Sequence, residues 1–514
     1  MFRSRLPGAS LAICLLVLTG CATVNFDAPK EPSYSVWPAN DTYLARRTAG
    51  LADQTPDRGG FYDLGDGVDA LAARYVLARR AERSIDTMYY LVKQDPVGAL
   101  FILGLLEAAD RGVRVRALVD DAERSKNSRV IALNGHPNVE IRVFNPFAPG
   151  APRWWNAVTD FRRINRRMHN KAFIADNEIA IIGGRNIAGE YFGANADVMF
   201  ADADVGCVGP LVGELSAMFD EYWNHRLAVP VETLARGPDD PETTLREVRR
   251  EILEDRKRLR DGPYQRALTR AISDTVAVTP DQVRWKPYRL VYDNPDKGLK
   301  RRPDDIKPLI TPQLLEFARQ AEEELIILSP YFVPRKEGMQ LFRDLRARDV
   351  KVKVITNSLA STNQVLVHSG YAPVRKRLLS MGVQLYEINP TATELKEARD
   401  DVRAGAGTLH GKLFLADRKR VFIGTFNFDP RSAYINTEMG VIIGDEELAT
   451  DWAERIVAAL PNVTYEVTMN DKAALRWTST VQGETKTLKR EPETSFWKRF
   501  GVNFLRIFPI DDQL

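Results

Sequence analysis

Apolar and polar positions along this chain follow two periods, three-to-four and two, and the order in which they occur is given twice. Residues 69–83 carry the helical period, and Ser84 to Val92 (SIDTMYYLV) reads as a strand. Residues 97–109 read as a second helix stopped by Gly112, and VRVRALV (113–119) alternates apolar and basic side chains as a strand does. Residues 138–144 give another strand, closed by Asn145-Pro146. The later half answers in the same order. Residues 325–328 match the first strand, Tyr331-Phe332-Val333 matches Tyr90-Leu91-Val92, and a helix over 339–347 precedes VKVKVIT (350–356). Residues 383–388 then end at Asn389-Pro390. Strands alternating with helices predict an α/β layered fold, and the repeat predicts two such domains.

Between and around the halves the pattern changes. Residues 236–280 (with LREVRREILEDRKRLRDG) mix both charge signs at helical spacing and predict a solvated helical connector. The limits that follow are a leader over 1–20, a tether over 21–60, domains over 61–235 and 281–460, the connector, and a C-terminal segment over 461–514. In that segment Phe496, Trp497, Phe500, Phe504, Leu505, Ile507 and Phe508 recur at helical spacing among Lys498, Arg499 and Arg506. Aromatic and basic residues in one helix suit a membrane interface; a terminal helix docked on its own domain is the other reading.

The N-terminus adds a location. Arg3 and Arg5 precede an apolar run, Leu11 to Leu18, too short to span a bilayer and suited to an export signal. Leu18-Thr19-Gly20-Cys21 resembles the lipobox of bacterial lipoproteins, which implies a lipidated Cys21 at the start of the mature chain. The implied place is the bacterial cell envelope, facing the periplasm, and Ala22 in place of an aspartate favours the outer membrane. Of 3 cysteines this leaves Cys207, with no internal disulfide, in a strand-like run. The net charge of +3 becomes +1 without Arg3 and Arg5, so bulk charge points to no nucleic-acid partner. No Cys/His cluster suggests a metal, and no cofactor motif occurs.

The chemistry lies in two stretches. MHNKAFIADNEIAIIGGRN holds His169, Lys171 and Asp176, then Gly183, Gly184 and Asn186; LHGKLFLADRKRVFIGTFNFDPRS holds His410, Lys412 and Asp417, then Gly424, Thr425 and Asn427. On a strand, histidine and lysine two apart share a face, and Asp176 and Asp417, seven on from the histidine, fall opposite. The two aspartates are therefore expected to stabilise the turn after the strand, although they complete the motif. Two such faces meeting would surround one phosphate with two histidines, two lysine charges and two asparagine amides (Asn186, Asn427), with no metal required. One histidine could attack phosphorus and the other protonate the leaving alkoxide, provided a carboxylate orients each. Aligning Glu438-Met439-Gly440-Val441-Ile442 with Asp204-Val205-Gly206-Cys207-Val208 proposes Glu438 and Asp204, with Asp197 and Asp202 in competition. His136 and His225 read as surface or packing residues, and His368 as lining a groove or packing. Arg162, Arg163, Arg166 and Arg167 either hold an anionic head group or form a solvated loop.

These paired His-x-Lys-x4-Asp frames with their Gly-Gly/Thr-x-Asn endings resemble the phospholipase D superfamily over about residues 69–457. GTFNFDPRSAYINTE, SPYFVPRKEG and RVFNPF are more narrowly similar to bacterial cardiolipin synthases of the C type. The resemblance implies two mixed sheets flanked by helices, a pseudo-twofold and one shared active site. It implies a phosphohistidine intermediate, with His169 as nucleophile and His410 as general acid and base. It implies phosphatidyl transfer from phosphatidylglycerol or phosphatidylethanolamine to phosphatidylglycerol, giving cardiolipin. Phospholipid hydrolysis by the same site, and a superfamily nuclease, are the alternatives.

Overall fold

The computed structural model describes residues 23–36, 41–51, 57–122, 128–150, 152–194, 198–234, 240–260, 263–275, 282–299, 307, 309–392, 406–481 and 484–505. The leader, Cys21, Asp197 and the tail residues Arg506, Ile507 and Phe508 lie outside the described residues.

Among the described residues, twenty strands carry the fold. In the first half these are β1 (Arg58–Leu64), β2 (Ser84–Tyr89), β3 (Arg114–Asp120), β4 (Val139–Phe144), β5 (Ala172–Ala175), β6 (Ile179–Gly183), β7 (Val198–Ala201), β8 (Asp204–Val208) and β9 (Ala228–Pro230). The second half has β10 (Arg284–Tyr292), β11 (Glu324–Leu328), β12 (Lys351–Asn357), β13 (Gln384–Ile388), β14 (Ala406–Leu409), β15 (Leu413–Ala416), β16 (Arg420–Gly424), β17 (Met439–Ile443), β18 (Thr464–Met469), β19 (Leu475–Val481) and β20 (Glu484–Leu488). All except β7 and β14 join one mixed sheet. Its first half runs β9-β4-β3-β2-β5-β6-β8-β1 and its second β10-β17-β16-β15-β11-β12-β13-β18-β19-β20. Strand for strand the second half repeats the first about a pseudo-twofold between β1 and β10, as far as β18. Both halves are α/β, with three parallel strands each (β2-β3-β4 and β11-β12-β13).

The antiparallel pair β1–β10 is the seam. Gly60 stands opposite Trp285 there, and a Cβ on it would come 2.5 Å from Val208 Cγ2 and 2.7 Å from Val283 Cγ1. Only glycine admits so close a seam. Below it one apolar cluster draws Phe61, Met88 and Ile174 from the first half and Ile355, Leu413 and Val441 from the second. Trp223 of helix Pro210–Asn224 and Trp452 of helix Glu446–Val463 belong to the same cluster. At roughly 1.5–3 kcal/mol for each large side chain removed from water, this shared core commits the halves to one body.

Two expectations change. The connector is not wholly solvated: helix Pro241–Arg260 buries Leu245, Val248 and Ile252 against helix Pro96–Asp110, and helix Pro263–Thr275 buries Leu268 against helix Gly67–Arg80. Arg246, Glu247, Arg250, Glu251, Glu254 and Lys257 occupy the outer face, while Asp255 is buried. The second half of the sheet also continues past residue 460, since β18, β19 and β20 extend it into what the periodicity assigned to the C-terminal segment. Cys207 is a free, buried thiol on β8.

Candidate active site

Each motif histidine sits just before a short strand, and each is set by a backbone pairing with the other half. Met168 bridges Thr437 in parallel, with His169 N donating to Thr437 O (2.9 Å) and Thr437 N to Arg167 O (3.0 Å). In mirror fashion β14 pairs with β7 in parallel, Leu409 opposite Ala201. These pairings fix which carboxylate meets which ring. Glu438, next after Thr437, accepts from His169 Nδ1 at 2.8 Å, and Asp202, next after Ala201, accepts from His410 Nδ1 at 2.6 Å. Both orienting carboxylates therefore come from the half opposite to their histidine. With Nδ1 committed, chemistry on each ring falls to Nε2.

Asp204 does not orient a histidine. It is fully buried and receives Arg74 Nη2 at 2.8 Å, with Arg185 Nη1 at 3.4 Å. The proposed alignment matched Gly206 to Gly440, whereas the sheet matches Asp204 to Gly440. Gly183 opposes Asp204 as Gly424 opposes Gly440, and Gly184 N donates to Ala203 O as Thr425 N donates to Met439 O. In that register Asp202 is the counterpart of Glu438, two residues earlier than the glycines suggested.

The two carboxylates are held differently. Glu438 accepts from Thr425 Oγ1 (2.5 Å) and Ser432 Oγ (2.8 Å), and its backbone N–H donates to Asp293 (3.0 Å). Asp202 stands where Thr425 has its counterpart Gly184: a Cβ there would lie 2.0 Å from Asp202 Oδ1. The shorter acid reaches His410 because that residue has no side chain.

Lys171 and Lys412, each directly before its strand, are both buried. Lys171 Nζ donates to His169 O (2.7 Å), and Lys412 Nζ donates to His410 O and lies 2.8 Å from His410 Nδ1. Burial pushes the ammonium of Lys171 down to about 7, helped by the charge of Lys412, and burial pushes Lys412 down to about 8 against the pull of Asp202 and Glu438. Burial also brings His169 down to about 4, with Glu438 opposing and Lys171 assisting. His410 falls to about 3 through burial and Lys412, against Asp202. Burial works to raise Glu438 and Asp202, but the paired histidines and the lysines outweigh it and hold both below the usual carboxylate range. The site thus gathers two neutral imidazoles, two anions and two cations of low proton affinity, a set suited to a further anion.

Asn186 and Asn427, three residues beyond the strand-ending glycines of β6 and β16, are buried, and the Oδ1 of each has no hydrogen-bond partner. Asn186 Nδ2 donates to Tyr191 OH at 2.9 Å. Tyr90 meets the His169 ring edge-to-face at 5.2 Å, and Tyr191 meets His410 at 4.9 Å. Asp176 and Asp417 stand away from this chemistry, as alternation requires. Asp176 accepts from the N–H groups of Glu82, Arg83 and Ser84, and Asp417 from those of Glu322, Glu323 and Glu324. Both adopt positive φ (51° and 54°) at the turn out of the motif strand.

Sequence reasoning missed the residues that hold the histidine segments. Asp120, closing β3, accepts from Met168 N (2.8 Å); Asn357, closing β12, exchanges two bonds with Leu409 (2.9 and 3.0 Å). The signal was present, since RVRALVD and KVKVITN end on matching polar residues. Of the four arginines, Arg167 is buried against Asp120 and Asn145 O, Arg163 is tied to Asp160 and Pro146 O, and Arg166 to Lys297 O. Arg162 is exposed. His368 is buried beside Tyr371 and so packs in place of lining a groove.

A two-halved α/β chain joining one His-Lys pair from each half in a single site is a phospholipase D-like protein. The family model for "cardiolipin synthase, PLD-like domain" matches residues 77–223 and 314–458, and the chain belongs to that family. It is 36% identical over 481 residues to cardiolipin synthase C of Escherichia coli K12, covering 91% of this chain and 99% of that one. It is 24% identical over 379 residues to a cardiolipin synthase of Clostridium perfringens SM101, 73% of this chain and 65% of that one. Among solved structures, phosphatidylserine synthase of Haemophilus influenzae Rd KW20 covers 92% of this chain and all of its own at a TM-score of 0.57 and 15% identity, a likeness of fold.

Proposed function

We propose that this enzyme is a phosphatidyltransferase that makes cardiolipin. It would move the phosphatidyl group of one phospholipid, phosphatidylglycerol or phosphatidylethanolamine, onto phosphatidylglycerol. The observation that carries the reading is the crossed arrangement of the histidines: each Nδ1 lies on a carboxylate of the opposite half, between two buried lysines. The near full-length similarity to a cardiolipin synthase supports the substrate.

His169 is the nucleophile. Its Nε2 attacks phosphorus, the bond from phosphorus to the head-group oxygen breaks, and His410 delivers a proton to the departing alkoxide. Lys171, Lys412 and the amides of Asn186 and Asn427 carry the charge on the phosphoryl oxygens. The anionic substrate offsets the lysine charges that depress His410, which lets that ring take up the proton it must donate. His410 then removes the proton from the primary hydroxyl of phosphatidylglycerol, which attacks phosphorus and releases His169. Glu438 and Asp202 stabilise whichever ring is charged. The chain works at the bacterial envelope on the periplasmic side, its leader over 1–20 removed, held by a lipid on Cys21 and by the aromatic face of helix Phe496–Leu505. That face is exposed, which supports the second contact.

Mass spectrometry of products from mixed isotope-labelled phosphatidylglycerol and phosphatidylethanolamine vesicles tests this. Cardiolipin with released glycerol or ethanolamine is expected; phosphatidic acid without cardiolipin would make the enzyme a hydrolase.

A further inference from the structure

Two groups of large apolar side chains stand exposed on the described surface, one in each half. The first is on the segment after β4. Trp154 (66% exposed), Val158 (75%) and Phe161 (44%) stand on helices Arg153–Thr159 and Phe161–Ile164, with exposed Arg162 beside them. Asn156, on the same helix, is buried and accepts from Ala148 N, so the helix is held by its polar side and shows its apolar side outward. The second is helix Phe496–Leu505. Its Val502 is buried, while Phe496, Trp497, Phe500 and Phe504 are at least half exposed, with stacked rings at 6.3 and 6.5 Å. A helix docked to cover its aromatics would show the reverse.

Both groups are tied to a histidine segment. Arg153 donates to Asp121 O, next to Asp120, which holds Met168; the same segment ends in Arg167, two residues before His169. Lys498 donates to Ala360 O, next to Ser361, whose carbonyl accepts from Thr408, two residues before His410. The first group follows β4, and the second, which follows β20, lies against the segment after β12, so each touches the carboxyl end of a parallel strand in its own half.

We propose that the Trp154-Val158-Phe161 face is a bilayer contact, acting with the helix Phe496–Leu505 face to seat the site on a phospholipid membrane. Exposed aromatic and aliphatic side chains among arginines and lysines match the interfacial zone of an anionic bilayer, where rings sit at head-group depth and cations meet phosphates. Two contacts on either side of the pseudo-twofold fix orientation, which a flexible lipid tether cannot do. A diacyl substrate could then reach the histidines without leaving the bilayer. No helix among the described residues is long and apolar enough to cross a membrane, so contact through faces of this kind is the route the described fold provides.

The proposal rests on the phosphatidyltransferase reading, and the test separates the two. Full-length enzyme on phosphatidylglycerol vesicles with brominated acyl chains is compared with its Trp154→Phe variant. Part of the native tryptophan fluorescence should be quenched and be missing from the variant's quenching. Separately, Trp154→Ser/Val158→Ser/Phe161→Ser should lower transfer from bilayer phosphatidylglycerol by about tenfold or more, with turnover of monomeric short-chain phosphatidylglycerol unchanged. Equal bilayer turnover would overturn the proposal, as would loss of an oligomer in the triple variant with bilayer turnover kept. If the triple variant misfolds and loses short-chain turnover as well, the quenching comparison decides: Trp154 unquenched by brominated chains overturns it. Native enzyme that transfers from neither substrate, yet shows Trp154 quenching, would refute the function and leave the surface standing.

Discussion

Two aspartates separated by one residue have opposite duties. Asp202 orients His410, so Asp202→Asn should lower kcat by about 10²–10⁴ with the fold intact. Asp204 neutralises buried guanidiniums, so Asp204→Ala should cost about 3–5 kcal/mol in chemical denaturation, the toll of leaving buried charge unpaired. Lys171 makes the converse case. Its ammonium is held near 7 by burial, so Lys171→Met should abolish transfer, by about 10³ or more, without lowering the melting temperature. pH adds a signature with a definite sign. The folded histidines bind protons only near pH 4 and 3, whereas the unfolded chain binds them near ~6.5. The unfolded state thus holds more protons through that window, so stability rises with pH from about 4 to about 6.5 and is lost on acidification. A His169→Asn/His410→Asn variant should show a flatter melting temperature against pH. At the other end kcat/KM should fall as pH rises through about 7 to 8 and the lysines of the free enzyme lose their charge.

At the scale of elements, the motif's aspartates belong to the hairpins and not to the phosphate. Asp176 and Asp417 each gather three backbone N–H groups at the start of β2 or β11, so replacing either with alanine should destabilise by about 2–3 kcal/mol. Activity per folded molecule should remain, which titrating the active fraction would reveal. This placement was legible because a turn residue after a short apolar strand is read from the sequence alone, the strands themselves being Ala172–Ala175 and Leu413–Ala416. Register between distant strands was not. Gly206 and Gly440 look equivalent in sequence, but the hydrogen bonds that set equivalence run to β6 and β16, and they move the match by two. The missing Cβ at Gly184, which lets an aspartate do what Glu438 does with Thr425, is likewise a fact of packing. The strands β18 to β20 had period-two signal but, beyond β18, no counterpart in the first half, so the repeat could not point to them.

At the scale of the molecule, the repeat is legible in the sequence, while its crossing is not. Nothing in either motif says that the carboxylate behind each histidine comes from the other half; the bridges Met168–Thr437 and Leu409–Ala201 decide it. Each half alone lacks the carboxylate that its histidine meets in the whole chain. Widening the seam with Gly60→Val should therefore reduce activity along with stability, the latter by ~1–3 kcal/mol for an overpacked contact, in matched kinetic and unfolding measurements. The proposed reaction turns on a covalent step at one histidine in this shared site. Enzyme mixed with isotopically labelled phosphatidylglycerol, quenched at alkaline pH within a turnover and digested for peptide mass spectrometry, measures that step directly. A phosphatidyl adduct on the peptide containing His169, absent from the one containing His410, is the predicted result; an adduct on His410 alone, or turnover with no adduct on either, would contradict it.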